Sequence, residues 1–350
     1  MSNFRIMPAE WAPQSAVMLT WPHAGTDWAD VLDVVEPVFD AIAKAVLRFQ
    51  HLIVSCEDAD KAASIQTELN DWVVNRGFPG RVKTAAVPAD DTWARDHGPI
   101  TVLENDKLQL LDFNFNAWGD KFPWAKDNAI NRQLAESGFF GAAPLQDQDF
   151  VLEGGSLESD GAGTLLTTSE CLLSTARNPG YDRSQIESKL RDTLGANKVL
   201  WLNHGYLAGD DTDSHIDTLA RFCSADTICY VRCDDPQDEH FDALNAMERE
   251  LSQFTNIEGK PYSLVPLPWP DAHFDQDGER LPATYANFLI INGAVLLPIY
   301  NVPQDVEAIR TMTALFPDRE IIPIDCVPLI HQHGSLHCVT MQFPAGVVTL

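Results

Sequence analysis

Ile216-Asp217-Thr218-Leu219-Ala220-Arg221-Phe222 has its apolar residues mostly at every second position, the spacing of a strand. Thr227–Val231 reads as a second strand, and a long helix follows from about Asp238 to Phe254. Ser263–Leu267 is a third strand. The order strand, strand, helix, strand makes one β-β-α-β cycle.

Working outward, the same cycle recurs along the chain. Toward the N-terminus, Thr164–Thr168 precedes a helix from Asp182 to Leu194 and the strand Val199–Leu202. Earlier, Ile100–Leu103 and Leu108–Phe115 lead to a helix after Pro123 and to Phe150–Leu152. The first cycle has Ala16–Trp21, a helix at apolar positions 31, 35, 38, 42, 45/46 and 49 capped by Thr26 or Asp27 and kinked at Pro37, then Leu52–Cys56. Asp58 to Asn75 is a further helix, and Val82–Val87 a strand. Toward the C-terminus, Leu289–Asn292, Val295–Pro298, a helix from Pro303 to Leu315, Ile321–Pro323 and His337–Phe343 complete the set. Roughly five cycles of comparable length, with no linker or low-complexity segment, predict one α/β domain over residues 1–350. No glycine-rich phosphate loop follows a strand, so nucleotide binding has no support.

Just before the opening stretch lies Gly209-Asp210-Asp211-Thr212-Asp213-Ser214-His215-Ile216-Asp217. Acids packed around one histidine raise one another's pKa unless a cation sits among them. An extended segment after Thr212 would put Asp213, His215 and Asp217 on one face. A calcium loop is met only in its first part, because the glycine and late Glu are missing.

The whole chain is acidic, with 24 basic against 51 acidic residues and a net charge of −27 over 350 residues. That excludes nucleic acid and anionic membrane as partners and suits a small cationic substrate. Seven cysteines without a C-x-x-C pair read as reduced thiols. No apolar signal core appears in Met1 to Glu10, and the apolar run Phe288 to Tyr300 is too short to span a bilayer. The expected location is the cytoplasm.

Further segments carry chemistry. In Trp93-Ala94-Arg95-Asp96-His97-Gly98-Pro99 the Gly-Pro turn is expected to present Asp96 and His97, with Arg95 in an ion pair. Glu153 ends an apolar strand before Gly154-Gly155, which permit close approach of a ligand. Cys338, after the turn His333-Gly334-Ser335, is expected to be exposed and reactive, and the other six cysteines to fill the core. Zinc on His215 and His337 is an alternative, but no second cluster of short-spaced ligands exists.

Met7-Pro8-Ala9-Glu10-Trp11, Trp93-Ala94-Arg95-Asp96-x-Gly98-Pro99, Glu153-Gly154-Gly155, His215-x-Asp217 and His337-Cys338 stand in the order seen in the agmatine deiminases. The chain resembles that family, which is grouped with the bacterial-type peptidylarginine deiminases, from Met7 to about Pro344. The resemblance implies the pentein fold, a five-bladed α/β propeller of ββαβ modules with pseudo-fivefold symmetry. It implies Cys338 as nucleophile, His215 as general acid and base, and Glu153 as the group orienting His215. Asp96 and Asp217 would grip the guanidinium, Asp211 the distal amine, and Trp93 would pack along the methylene chain. The implied reaction converts agmatine to N-carbamoylputrescine and ammonia, toward putrescine, with no cofactor and no metal. Two departures stand beside the pocket: Asp213-Ser214 where Asn-Gly is usual, and His333 where glycine is usual.

Other readings are arginine or peptidylarginine as substrate, amidino transfer instead of hydrolysis, a zinc-dependent hydrolase and a non-catalytic pentein. The last lacks the Cys, His and carboxylate set. Whether the chain forms a homo-oligomer is left open.

Overall fold

A computed structural model describes residues 5–350, so only part of Met1–Glu10 lies within the described residues. The fourth cycle shows the repeating unit. Ala220–Ser224 pairs antiparallel with Thr227–Val231, helix Phe241–Leu251 crosses over, and Ser263–Leu267 returns parallel to Thr227–Val231. The opening stretch is shorter as a strand than its alternation predicts: Ile216–Thr218 is one 3-10 turn, and pairing begins at Ala220. The helix also starts after Asp238. That carboxylate is taken by Arg280, the Trp269 indole and the His240 amide instead of capping the first turn.

Four further units share this pairing. One comprises Ile100–Glu104, Lys107–Asn114, helix Ile130–Glu136 and Leu145–Val151. Another comprises Glu158–Ser159, Thr164–Thr168, helix Arg183–Leu194 and Lys198–Leu202. A third comprises Leu289–Ile291, Ala294–Ile299, helix Asp305–Leu315 and Glu320–Asp325. The last joins the two ends of the chain. Thr340–Pro344 pairs antiparallel with Gln14–Thr20, which runs parallel to His51–Cys56 after helix Leu32–Leu47. The fold is mixed α/β, and its sheets stay small, separate and open.

Local chemistry accounts for the helix ends. Asp58 caps helix Ala59–Arg76 through the Lys61 amide, and Asp182 and Gln185 form a capping box on the helix that begins at Arg183. Gly77 and Gly195 end these two helices with φ of 69° and 74°, open to glycine without strain. Helix Leu32–Leu47 carries Pro37 in its second turn and has no side-chain cap, so Thr26 and Asp27 do not cap it. Its apolar face, Val35, Phe39, Ile42 and Val46, joins a core that continues through Phe222, Phe288 and Leu336.

The units share one further property. Asp96, Glu153, Asp217, Asn287 and Cys338 each lie a few residues before the first strand of a different unit. The sequence motifs therefore fall at equivalent places in the repeat.

Candidate active site

Each site residue is fixed by a short turn. Asp96 sits on the single helical turn Ala94–His97, closed by the Gly98 amide on the Ala94 carbonyl at 2.9 Å. A Cβ on Gly98 would lie 2.4 Å from that carbonyl oxygen, so only glycine fits. The turn does not present its side chains to solvent, as the Gly-Pro pair suggests. Asp96 and His97 are both buried, and His97 Nε2 lies 3.1 Å from the Thr20 hydroxyl. Arg95 makes no ion pair with its neighbour: its Nε donates to the His337 carbonyl, 3.4 Å away.

The loop before His215 is a chain of acid-to-backbone bonds. Asp210 accepts from the Thr212 hydroxyl at 2.5 Å and the Ser214 amide at 2.7 Å. Asp213 and Ser214 have φ of 62° and 63°, so the segment is left-handed, not extended. Asp213 thus leaves the face of His215 and Asp217 and pairs with Arg177 at 2.5 Å and Lys121 at 2.7 Å. His333 also has a positive φ, 65°. The residues that depart from the resemblance therefore occupy backbone that asparagine or glycine would adopt more cheaply, at a cost of about 1–3 kcal/mol each.

Three groups converge at Gly155. A Cβ there would lie 2.6 Å from His215 Nδ1, 2.8 Å from Asp96 Oδ1 and 3.1 Å from Asp217 Oδ2. The Gly155 amide donates to Asp96 Oδ1 at 3.0 Å, and the Trp118 indole donates to Oδ2 at 3.1 Å. Asp217 Oδ2 accepts from His337 Nδ1 at 2.7 Å, while Oδ1 has no partner. Cys338 is buried against solvent but faces a cavity of about 140 Å³, whose lining includes Trp93, Asp96, Trp118, Asp211 and His333. Asn287 Oδ1 accepts from the His337 amide at 2.8 Å and from the Cys338 thiol at 3.4 Å.

Glu153 is fully buried, and its carboxylate accepts from Arg177 Nε at 2.7 Å rather than from His215. Its Oε2 and His215 Nε2 are both left without a partner. Among the described residues, Glu153, Cys171 and His215 have donor atoms within 4.8 Å of one another and could approach one cation. The Arg177 guanidinium on Glu153 opposes a second positive charge there. His337, the other histidine of the zinc reading, lies between Asp217 and Glu10.

Burial and like charge set the titration. Burial, then Asp217 and Asp96, push the Cys338 thiol well above its usual range. Burial raises Asp96 to about 6, with Asp217 and Glu153 adding to it against the pull of His215. Burial works against a charged His215, but Asp96 and its neighbours outweigh it and bring the imidazole to about 10. Cys171, one of those neighbours, is itself pushed up by burial. The carboxylates of Asp96 and Glu153 therefore hold the proton on His215 at neutral pH.

The model of the Porphyromonas-type peptidyl-arginine deiminase family matches residues 6–344. The chain belongs to that family. The agmatine deiminase of Stutzerimonas stutzeri is 33% identical over 98% of this chain and 96% of its own length. A candidate arginine deiminase structure from Porphyromonas gingivalis is 52% identical, with a TM-score of 0.92 over 99% of this chain and all of that one. A cysteine-to-serine variant of the C. jejuni agmatine deiminase, with substrate bound, is 35% identical, with a TM-score of 0.89 over 99% and 98%. The present deiminase is thus a hydrolase acting on C–N bonds. No helix among the described residues of this deiminase is long and apolar enough to cross a membrane.

Sequence motifs missed four residues around the candidate site. Asn287 and Arg177 sit in no motif and are recognisable only by contact. Arg221 looked like one polar position of a strand, yet it is fully buried and pairs with Glu10 and Glu158. Cys171, read as core filler, borders His215 and Glu153.

Proposed function

We propose that this deiminase hydrolyses agmatine to N-carbamoylputrescine and ammonia through a covalent intermediate on Cys338. The observation that carries the reading is the convergence at Gly155: two buried carboxylates and the His215 imidazole around one point, with a thiol beside Asp96 in the adjoining cavity. A guanidinium is a flat fork of N–H donors that carboxylates grip pairwise. The unpartnered Oδ1 of buried Asp217 would accept from it, with Asp96 as the second carboxylate of the grip.

Binding this cation removes the like charge that disfavours the Cys338 thiolate, so the thiol proton is released on binding. The thiolate adds to the guanidinium carbon. Protonated His215 then gives its proton to one departing nitrogen, the C–N bond breaks, ammonia leaves and a thiouronium remains. Neutral His215 next takes a proton from water as the hydroxide adds to the same carbon. Collapse breaks the C–S bond, frees the ureido product and loses the hydroxyl proton to solvent. Glu153, held by Arg177, keeps His215 charged in the resting enzyme. Asp211 faces the distal amine and Trp93 flanks the methylenes. Asp210 and Asp213 are committed to the loop, which leaves Asp211 as the acid of that run lining the cavity.

We also read the five units as propeller blades of the pentein type, about a pseudo-fivefold axis, in one domain. One site residue just before the first strand of each unit supports this. The P. gingivalis relative keeps arginine as a second reading. Assays with agmatine, arginine and a blocked arginine peptide test the choice. Agmatine should give ammonia and ureido product one for one; product from arginine or the peptide alone would overturn it.

A further inference from the structure

The cavity has a buried floor and an open mouth. Cys338, Asp96, Trp93 and Trp118 form the floor, whereas Asp27, Phe122, Asp211, Gln332 and His333 reach solvent. Three hydrogen bonds stitch the mouth together. His333 Nδ1 meets the Gly209 carbonyl at 2.7 Å, Gln332 donates to the Asp27 carbonyl at 2.8 Å, and Lys121 donates to the Asp211 carbonyl at 2.7 Å. The turn carrying His333 packs against the floor through Gly334, where a Cβ would lie 2.1 Å from the Trp93 ring, so only glycine fits there. His333 itself holds a left-handed backbone, φ 65°, that a β-carbon makes costly. Its ring spans from one loop to another, 3.9 Å from Asp211 Oδ2.

We propose that His333 sets how far a substrate can extend beyond its guanidinium. This rests on the agmatine reading. Nδ1 gives its proton to the Gly209 carbonyl and lies 3.9 Å from Asp211 Oδ2, so the ring stands beside that carboxylate at the mouth. A terminal ammonium that reaches Asp211 therefore sits against the ring. A chain that continues past that point, as an arginine amide or a peptide does, must pass through the space the imidazole occupies. The ring thus reads a short, amine-ended guanidine and excludes its extended relatives.

The test compares the wild type with His333→Gly, which removes the ring and relieves the backbone, and with His333→Ala, which removes the ring alone. Substrates are agmatine and an N-blocked arginine amide. The wild type should turn over agmatine and leave the blocked amide nearly untouched. Both variants should shift the kcat/KM ratio toward the amide by about tenfold or more, the change sitting mainly in KM. His333→Gly should melt no lower than the wild type, which separates loss of recognition from loss of fold. A ratio unchanged in both variants, with wild-type agmatine turnover intact, would overturn the role of His333 and leave the agmatine reading standing. Wild-type preference for the blocked amide would overturn both.

Discussion

Asp217 and His337 are joined by a 2.7 Å hydrogen bond from Nδ1 to Oδ2, and both side chains are out of solvent. The bond fixes one carboxylate oxygen and leaves Oδ1 free. Behind it, His337 Nε2 lies 2.8 Å from Glu10 Oε2, and Arg221 bonds Glu10 at 2.9 Å. The residue beside the thiol therefore anchors Asp217, one arm of the proposed guanidinium grip, on a buried ion network. His337→Ala strands two buried carboxylates and should lower unfolding stability by about 3–5 kcal/mol in denaturant titration. It should also raise KM for every guanidine tried, whereas an unaltered KM would remove His337 from the positioning of Asp217.

Gly155→Ala tests the convergence point. The added methyl would displace His215 or Asp96, so kcat should fall by at least about a hundredfold while the protein stays folded. Circular dichroism and steady-state kinetics decide; near-normal kcat would mean that the three groups do not close on a substrate there.

The raised Asp96 carboxyl, at about 6, makes a signed prediction. A carboxyl that holds its proton more tightly folded than unfolded weakens the fold as pH rises from the ordinary aspartate range through about 6. A bound guanidinium relieves that penalty. Agmatine should therefore raise the melting temperature of Cys338→Ser more at about pH 7.5 than at about pH 5, and kcat/KM of the wild type should fall below about pH 6. Equal shifts at both pH values would place Asp96 outside the grip.

Much of this was legible in the sequence, and the omissions have physical causes. Strand and helix order followed from periodicity where the strands are apolar runs in the core, as in Gln14–Thr20 and Ala294–Ile299, whereas Leu145–Val151 is largely polar and was legible only at its buried end. The motif residues surfaced because each sits at a break beside Gly, Pro or a charged run. Asn287 carries no such break and Arg177 stands before the plain turn Asn178-Pro179-Gly180, so their roles are visible only through contacts with Cys338 and Glu153. The reading of Cys338 as exposed confused solvent access with cavity access. Extension was the wrong geometry for Asp213-Ser214, since left-handed backbone at non-glycine residues leaves no compositional trace. The exposure expected of Asp96 failed for a related reason: a Gly-Pro turn fixes where the chain bends, and tertiary packing decides what it faces.

Asp211→Asn should weaken kcat/KM for agmatine by about 1.5–3 kcal/mol, the range for a hydrogen bond to a charged group, and spare an alkylguanidine that lacks the amine. Equal losses on the two substrates would make Asp211 structural.

Thiol reactivity should depend on the charge of the reagent. The raised Cys338 thiol predicts slow alkylation by iodoacetamide at neutral pH, rising at alkaline pH, whereas a haloacetamidine supplies its own cation and should label at neutral pH. Peptide mapping should find that label on Cys338 alone; labelling at Cys223 or Cys326 would reassign the nucleophile.

Acid quenching of the enzyme during turnover of agmatine, followed by mass spectrometry of its peptides, addresses the central claim directly. An adduct equal to agmatine less ammonia should appear on the Cys338 peptide, absent from Cys338→Ser and lost as substrate is exhausted. Full turnover by Cys338→Ser, or an adduct on any other residue, would contradict covalent catalysis at Cys338.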